Sequence, residues 1–201
     1  IFSGGGSGGH VIPALTLIAE IKKNYPEQFT ILYIGSEKEI EKKLTASLGI
    51  EFRSISTGKL RRYLSVENLL DLFRIVAGVF QSISLLFAFK SKETIVFSTG
   101  GFVSVPVVFA AWLHRIPILV HEQTSRMGLA NKISSFFAKK ILISFEESFK
   151  YLPHEKTVLT GYPVRRDFFA PMLPSLKIKD KELSVLKKPL LFITGGGNGS
   201  Y

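Results

Sequence analysis

Two hydrophobic patterns alternate along the chain. Short apolar runs bounded by turn residues predict strands at the start of the chain and at 30–34, 51–55, 94–98, 117–120 and 140–144. Between most of these runs, apolar residues recur at helical spacing. Alternating strands and helices predict an α/β fold, with a Rossmann-like parallel sheet, right-handed crossovers and helices on both faces.

The opening segment reads as a strand, a glycine loop and a helix. Residues 4–9 are Gly-Gly-Gly-Ser-Gly-Gly, and helical spacing follows to about residue 24. Because glycine has no Cβ, the loop amides can approach a ligand closely, and the helix N-terminus behind them favours negative charge. The pattern predicts a phosphate or diphosphate site that His10 faces. The alternative for His10 is a helix-start residue that bonds a nearby carbonyl.

Two later strand ends carry residues suited to the same edge of the sheet. A second glycine turn, containing Gly100 and Gly101, follows the strand predicted at 94–98. Three polar residues follow the strand at 117–120, namely His121, Glu122 and Gln123. Doubly wound folds bind ligands at the carboxyl ends of their strands, so a role in a site is expected. The alternative is a hydrogen-bonded turn and helix cap.

Two helical segments differ in their surface. The segment 37–48 carries five charged residues, which we interpret as a solvated face: Lys38, Glu39, Glu41, Lys42 and Lys43. The segment 65–89 is apolar on nearly every side, but only 15 uncharged residues separate Arg74 from Lys90, fewer than the roughly 20 that a membrane span needs. Region 59–92 therefore predicts an interfacial helix whose cations meet anionic head groups, these being Lys59, Arg61, Arg62, Arg74, Lys90 and Lys92. A helix buried beneath another domain or a dimer partner is the alternative.

Composition narrows the functional classes. Lys and Arg exceed Asp and Glu by 26 − 16 = 10, which favours anionic partners. A nucleic-acid partner is not predicted, because the chain has no recognisable nucleic-acid-binding module. The absence of cysteine excludes disulfides and thiolate catalysis, and no acidic run is typical of a metal site, so neither a metal nor a cofactor is expected.

The chain divides into three parts. We expect an N-terminal Rossmann-like domain at 1–170, a linker rich in Lys and Pro at 171–188, and the first strand and glycine loop of a second, truncated domain at 189–201. The abrupt start without Met predicts that a few leading residues are missing.

The ordered motifs resemble those of the MurG family of GT-B glycosyltransferases. They cover the whole chain and lie at 4–10, 99–104, 121–123 with 128–132, 161–165 and 195–199. The resemblance implies inverting transfer of N-acetylglucosamine from UDP-N-acetylglucosamine to lipid I, giving lipid II for peptidoglycan synthesis, at the inner face of the cytoplasmic membrane. It implies that region 59–92 associates with that membrane. It also implies that the 201 residues alone do not transfer sugar, because most of the donor domain lies outside them.

The resemblance assigns roles by position. His10 would be the base or a diphosphate contact. The acceptor diphosphate would lie on the two glycine loops, through Gly5, Gly6, Ser7, Gly8, Gly9, Gly100 and Gly101. Donor contacts would come from Ser7, Asn131, Arg165 and Gly197, with His121, Glu122 and Gln123 in support.

Two other functions fit parts of the chain. One is a non-catalytic acceptor-domain subunit that works with a separate donor subunit. The other is an NAD(P)-dependent oxidoreductase, which depends on the spacing of Gly4, Gly6 and Gly9 and on Glu37 after the second strand.

Overall fold

A computed structural model describes residues 1–37, 39–58, 66–89, 93–169, 175–178 and 181–184. Of residues 39–40, 66–70, 175–178 and 181–184 only the backbone is described. Several predicted features lie outside the described residues, namely Gly197, the strand and loop at 189–201, and five cations of region 59–92 (Lys59, Arg61, Arg62, Lys90 and Lys92).

The chain forms two compact units, 1–163 and 164–201. The first unit alternates strands and helices in the order β1 (Phe2–Gly4), α1 (Gly8–Asn24), β2 (Leu32–Gly35), α2 (Glu39–Ala46), β3 (Glu51–Ser54), α3 (Val66–Phe87), β4 (Val96–Gly100), α4 (Ser104–Leu113), β5 (Ile118–Glu122), α5 (Leu129–Phe137), β6 (Lys140–Ile143) and β7 (Thr157–Leu159). Short 3₁₀ helices at Glu146–Tyr151 and His154–Lys156 connect β6 to β7.

The second unit contains a 3₁₀ turn at Arg166–Phe169 and an antiparallel pair of strands, β8 (Ser175–Ile178) and β9 (Lys181–Ser184). Both strands lie within the segment that the sequence predicts as a linker. The predicted domain boundaries at 170 and 188 stay predictions.

The first unit is built on one seven-stranded sheet in the order β3-β2-β1-β4-β5-β6-β7, with every neighbouring pair parallel. The predicted Rossmann-like α/β class is therefore confirmed. The chain reverses its direction across the sheet between β1 and β4, and such a switch point opens a crevice at the carboxyl ends of the two strands. There Gly4 pairs with Gly100, after an irregularity that follows Ser3.

The core explains why the central strands are continuously apolar. On one side of the sheet, Val11, Ala14 and Ile18 of α1 pack with the rings of Phe2 and Phe97. A larger cluster on the other side includes Leu86 of α3 and the buried residues of α4. Strands covered on both faces need no polar alternation, and all five residues of β4 are buried.

Helix α1 begins earlier than the glycine pattern predicts. Ser7 is its N-cap, so Gly8 and Gly9 form the first helical turn, and the loop proper is Gly5-Gly6-Ser7. Gly6 adopts φ +87°, a left-handed conformation that favours glycine. This sharp turn connects the end of β1 directly to the N-terminus of a helix.

Gly101 offers a direct test of the contact between the two glycine loops. Its φ is +85°, and a Cβ there would overlap the backbone carbonyl of Gly5. We expect Gly101→Ala to lower the free energy of unfolding by about 2 kcal/mol or more, measured by urea denaturation. Gly8→Ala is the matched control, because a Cβ at Gly8 meets no atom within 4 Å. Equal stability of the two variants would contradict the close contact.

Candidate functional site

The two predicted glycine loops lie against each other at the crevice between β1 and β4. The amide of Gly5 donates to the carbonyl oxygen of Gly100, at 3.2 Å. Gly101 lies so near the Gly5 carbonyl that no side chain fits between them. Residues far apart in sequence therefore form one continuous backbone surface at the carboxyl edge of the sheet.

His10 is fastened to the end of β4 by two hydrogen bonds. Its Nδ1 lies 2.9 Å from the carbonyl oxygen of Thr99, and the Thr99 hydroxyl donates to the His10 carbonyl oxygen at 2.6 Å. A carbonyl oxygen can only accept, so Nδ1 carries the hydrogen of this bond. In the neutral ring Nε2 then keeps its lone pair, which is the form that a general base needs. The carbonyl-bonded alternative and the catalytic role are thus compatible.

The start of α1 is open where an anion would bind. The His10 amide donates to the Ser7 carbonyl oxygen at 3.2 Å, but the amides of Gly8 and Gly9 before it have no acceptor within their own helix. They lie at the positive end of the helix dipole. A Cβ at Gly6 or Gly8 would meet no atom within 4 Å. Ser7 is exposed, and its side chain does not cap the helix. The geometry is that of an anion site at a helix N-terminus.

Glu41 lies beneath this loop, and the prediction that it belongs to a solvated face is wrong. Its side chain is 1% exposed. One carboxylate oxygen accepts the Gly6 amide at 2.8 Å and the other accepts the Ser36 amide at 2.6 Å. The neighbouring Lys42 and Lys43 are exposed, as predicted. The helical spacing of Glu41, Leu44 and Thr45 could have identified the inward face of α2.

Two glycines leave room for this carboxylate. A Cβ at Gly5 would come within 2.6 Å of one Glu41 oxygen, and a Cβ at Gly35 within 2.7 Å of the other. Beside them, the Tyr33 hydroxyl donates to the Gly4 carbonyl at 2.7 Å. Burial, and secondly the Glu41 charge, raise the pKa of Tyr33, which keeps its hydroxyl a neutral donor.

The polar residues at the end of β5 make hydrogen bonds inside the protein. Gln123 donates to the carbonyl oxygens of Thr99 and His121, at 2.9 and 3.1 Å. Glu122 accepts the amides of Thr124 and Gly128, the Thr124 hydroxyl and the Asn131 side-chain amide. These bonds tie the β5 loop to the start of α5, which is the turn-and-cap arrangement. A supporting role in the site stays a prediction.

His121 is 2% exposed, and its ring stacks on Phe97 with 6.4 Å between centroids. Its Nε2 lies 3.1 Å from the carbonyl oxygen of Gly161. Burial lowers the pKa of His121, so a neutral ring donates this bond. The residue therefore anchors the chain after β7 to the end of β5.

The predicted donor contacts differ in their placement. Asn131 is buried, and its amide nitrogen donates to the carbonyl oxygen of His121 and to Glu122. Its Oδ1 has no hydrogen-bond partner in the described part of the chain and lies beneath Gly100. Arg165 belongs to the second unit, where its guanidinium lies 5.6 Å from the Phe168 ring centroid.

Glu37, the acidic residue on which the oxidoreductase alternative depends, is exposed and follows β2.

Helix α3 exposes a wide apolar face on the first unit. Gly78, Ser82 and Leu86 point inward, and α3 packs against α4. Large apolar side chains are exposed on α3 and the adjoining end of α4, namely Leu72, Phe73, Val76, Phe80, Phe87, Trp112 and Leu113. We call these seven residues the α3–α4 face. Among the described residues, no helix is both long enough and apolar enough to cross a bilayer.

Comparison with known sequences identifies relatives over the whole chain. Residues 1–143 match the model of the glycosyltransferase family 28 N-terminal domain. The chain is 44% identical over 203 residues to a Clostridium novyi protein and 43% identical over 204 residues to a Bacillus cereus protein. The first is named UDP-N-acetylglucosamine–N-acetylmuramyl-(pentapeptide) pyrophosphoryl-undecaprenol N-acetylglucosamine transferase, and the second has the same name followed by the numeral 2. All of this chain aligns, but it spans only 54% and 55% of those proteins.

Solved structures share the fold. Acinetobacter baumannii MurG superposes with a TM-score of 0.64 at 24% identity, over 79% of this chain and 44% of that one. A Neisseria meningitidis UDP-GlcNAc 2-epimerase bound to UDP-GlcNAc gives 0.55 at 12% identity, over 81% of this chain and 46% of that one. At such identities the likeness concerns the fold alone.

Proposed function

Because the chain belongs to glycosyltransferase family 28, we propose that it is the acceptor-binding half of an N-acetylglucosaminyltransferase. The enzyme would move N-acetylglucosamine from UDP-N-acetylglucosamine to lipid I and produce lipid II for peptidoglycan synthesis. Support comes from curated relatives named for this transfer that align with the whole chain. The family match favours this function over the oxidoreductase alternative.

The observation that carries the proposal is the open start of α1 beside His10. Lipid I presents a diphosphate next to the sugar that receives the transfer, so its recognition needs an anion site close to a base. The first-turn amides of α1 supply the anion site. His10 lies in the same turn, with Nδ1 committed to Thr99 and Nε2 left as an acceptor.

In the proposed reaction, His10 Nε2 takes the proton of the acceptor hydroxyl. The hydroxyl oxygen attacks the anomeric carbon of N-acetylglucosamine, and the bond to UDP breaks with its electron pair leaving on the diphosphate. One displacement inverts the anomeric configuration without a covalent intermediate. Ser7, Asn131, Arg165 and Gly197 remain the proposed donor contacts. Asn131 would act through the backbone that it holds, because its amide nitrogen points inward.

We further propose that the α3–α4 face rests on the cytoplasmic side of the cell membrane. Its exposed aromatic residues would enter the acyl boundary, while the net positive charge of the chain attracts anionic head groups. Arg74 is exposed on the same helix and pairs with Asp71 at 3.2 Å. A lipid-linked acceptor lies in the same membrane, so this placement would bring it to the site.

Vesicle binding tests the membrane proposal. We expect Phe80→Ser with Phe87→Ser to weaken partitioning onto phosphatidylglycerol-containing vesicles about tenfold or more, measured by sedimentation, since each exposed ring contributes on the order of 1–2 kcal/mol. Phe29→Ser removes an exposed ring outside the face and should bind as the unaltered chain does. Unchanged binding of the double variant would refute the proposal.

A transfer assay tests the reaction. The protein extended through its full reading frame should transfer N-acetylglucosamine from UDP-N-acetylglucosamine to a lipid I analogue, and His10→Ala should lower kcat by about 10²–10⁴. His154→Ala, which changes an exposed histidine elsewhere, is the matched control. Absence of transfer by the folded, extended protein would contradict the proposed function. Full activity of His10→Ala would show that His10 is not the catalytic base. A reading frame that ends near residue 201 would favour the split-subunit alternative.

A further inference from the structure

Glu41 does not touch the open surface of the site, yet it contacts the loop that forms it. Its carboxylate lies under Gly5 and Gly6 and bridges two backbone segments, the glycine loop after β1 and Ser36 after β2. A buried carboxylate is costly unless hydrogen bonds satisfy it. Here each oxygen accepts an amide, at 2.8 and 2.6 Å. The carboxylate therefore acts as a fixed internal anion beneath the loop.

Because Glu41 accepts one of the loop amides, it limits which backbone N–H groups are available to bind a ligand. The Gly6 amide donates to Glu41, and the Gly5 amide donates to the carbonyl of Gly100. The first two amides of the loop are thus committed inside the protein. The amides of Gly8 and Gly9 begin α1, where no carbonyl of their own helix can accept them.

The Glu41 charge also disfavours a second anion beside Gly6. Two negative charges close together in a partly buried place repel each other strongly. A diphosphate would consequently lie over the helix start, nearer to His10, rather than over Gly5 and Gly6.

We propose that Glu41 is a positioning residue for the acceptor diphosphate. By holding the Gly5–Gly6 turn from below, it directs the diphosphate to the first-turn amides of α1, next to His10. This inference depends on the proposed function, since it concerns the same acceptor site, and it assigns the buried carboxylate of α2 a specific part in it.

The arrangement requires a carboxylate of this length. Glutamine would fill the same space, but only one of its two terminal atoms is an acceptor. Its NH₂ group would therefore face one of the two backbone donors that Glu41 accepts on separate oxygens. Alanine would leave both amides without an acceptor. The loop should therefore loosen in a graded way, more in Glu41→Ala than in Glu41→Gln.

Steady-state kinetics of the protein extended through its reading frame tests the proposal, with a lipid I analogue and UDP-N-acetylglucosamine varied separately. Glu41→Gln should raise KM for the acceptor about tenfold or more and leave KM for the donor within about twofold. Glu51→Gln is the matched control, because Glu51 is an exposed carboxylate on β3 that pairs with Arg53. A purely structural role would lower stability and affect both substrates alike.

Gly5→Ala gives a second variant that keeps the proposal testable if Glu41 variants fold poorly. The three atoms nearest a Cβ at Gly5 all belong to the Glu41 carboxylate. Gly5→Ala should therefore displace the carboxylate and raise the acceptor KM as Glu41→Gln does, while the donor KM stays within about twofold.

The possible results distinguish a failure of the Glu41 proposal from a failure of the proposed transferase function. Active wild type with unchanged acceptor kinetics in Glu41→Gln and Gly5→Ala would overturn the role of Glu41 alone, as would equal losses for both substrates. Absence of transfer by the folded wild type would overturn the proposed function and this inference together.

Discussion

The site depends on the close backbone contact between the two glycine loops at the switch point of the sheet. Gly101 lies against the Gly5 carbonyl, and the Gly5 amide donates to the Gly100 carbonyl, so the two loops are in direct backbone contact. The parallel register of β1 and β4 sets this contact, because it pairs Gly4 with Gly100. A side chain at Gly101 would overlap the Gly5 carbonyl and push the two loops apart. The same contact brings Thr99 to His10 and fixes the orientation of its ring.

A second layer of buried polar groups supports this contact from below. Glu41, Gln123 and Asn131 are buried, and each bonds to backbone at the carboxyl edge of the sheet. Burying such groups is favourable only when their hydrogen bonds are made. These side chains do not line the proposed site themselves. They fix the position of the backbone that lines it. A helix N-terminus can bind an anion selectively only if its first turn keeps one conformation.

Sequence patterns predicted the fold well because the spacing of apolar residues distinguishes strands from helices, and glycine turns mark where each element ends. Apolar runs separated by helical segments indicated the parallel sheet, and the glycine turns marked both loops of the crevice. β7 at Thr157–Leu159 was not predicted as a strand, because its two apolar residues lie between threonines just before a Gly-Tyr-Pro turn. Glu41 was misassigned because charge suggested solvent, whereas a carboxylate can be buried where backbone amides satisfy it. The inward bonding of His121, Glu122 and Gln123 depends on partners distant in sequence, which no local pattern reveals.

The central claim is that the start of α1 is the anion site and that Glu41 already occupies the Gly6 amide. Its most direct test is amide NMR of the ¹⁵N-labelled chain titrated with methylenediphosphonate, a stable diphosphate. We expect saturable shifts at Gly8, Gly9 and His10, with Gly6 much less affected. Shifts centred on Gly6, or no saturable shift at the start of α1, would contradict the account.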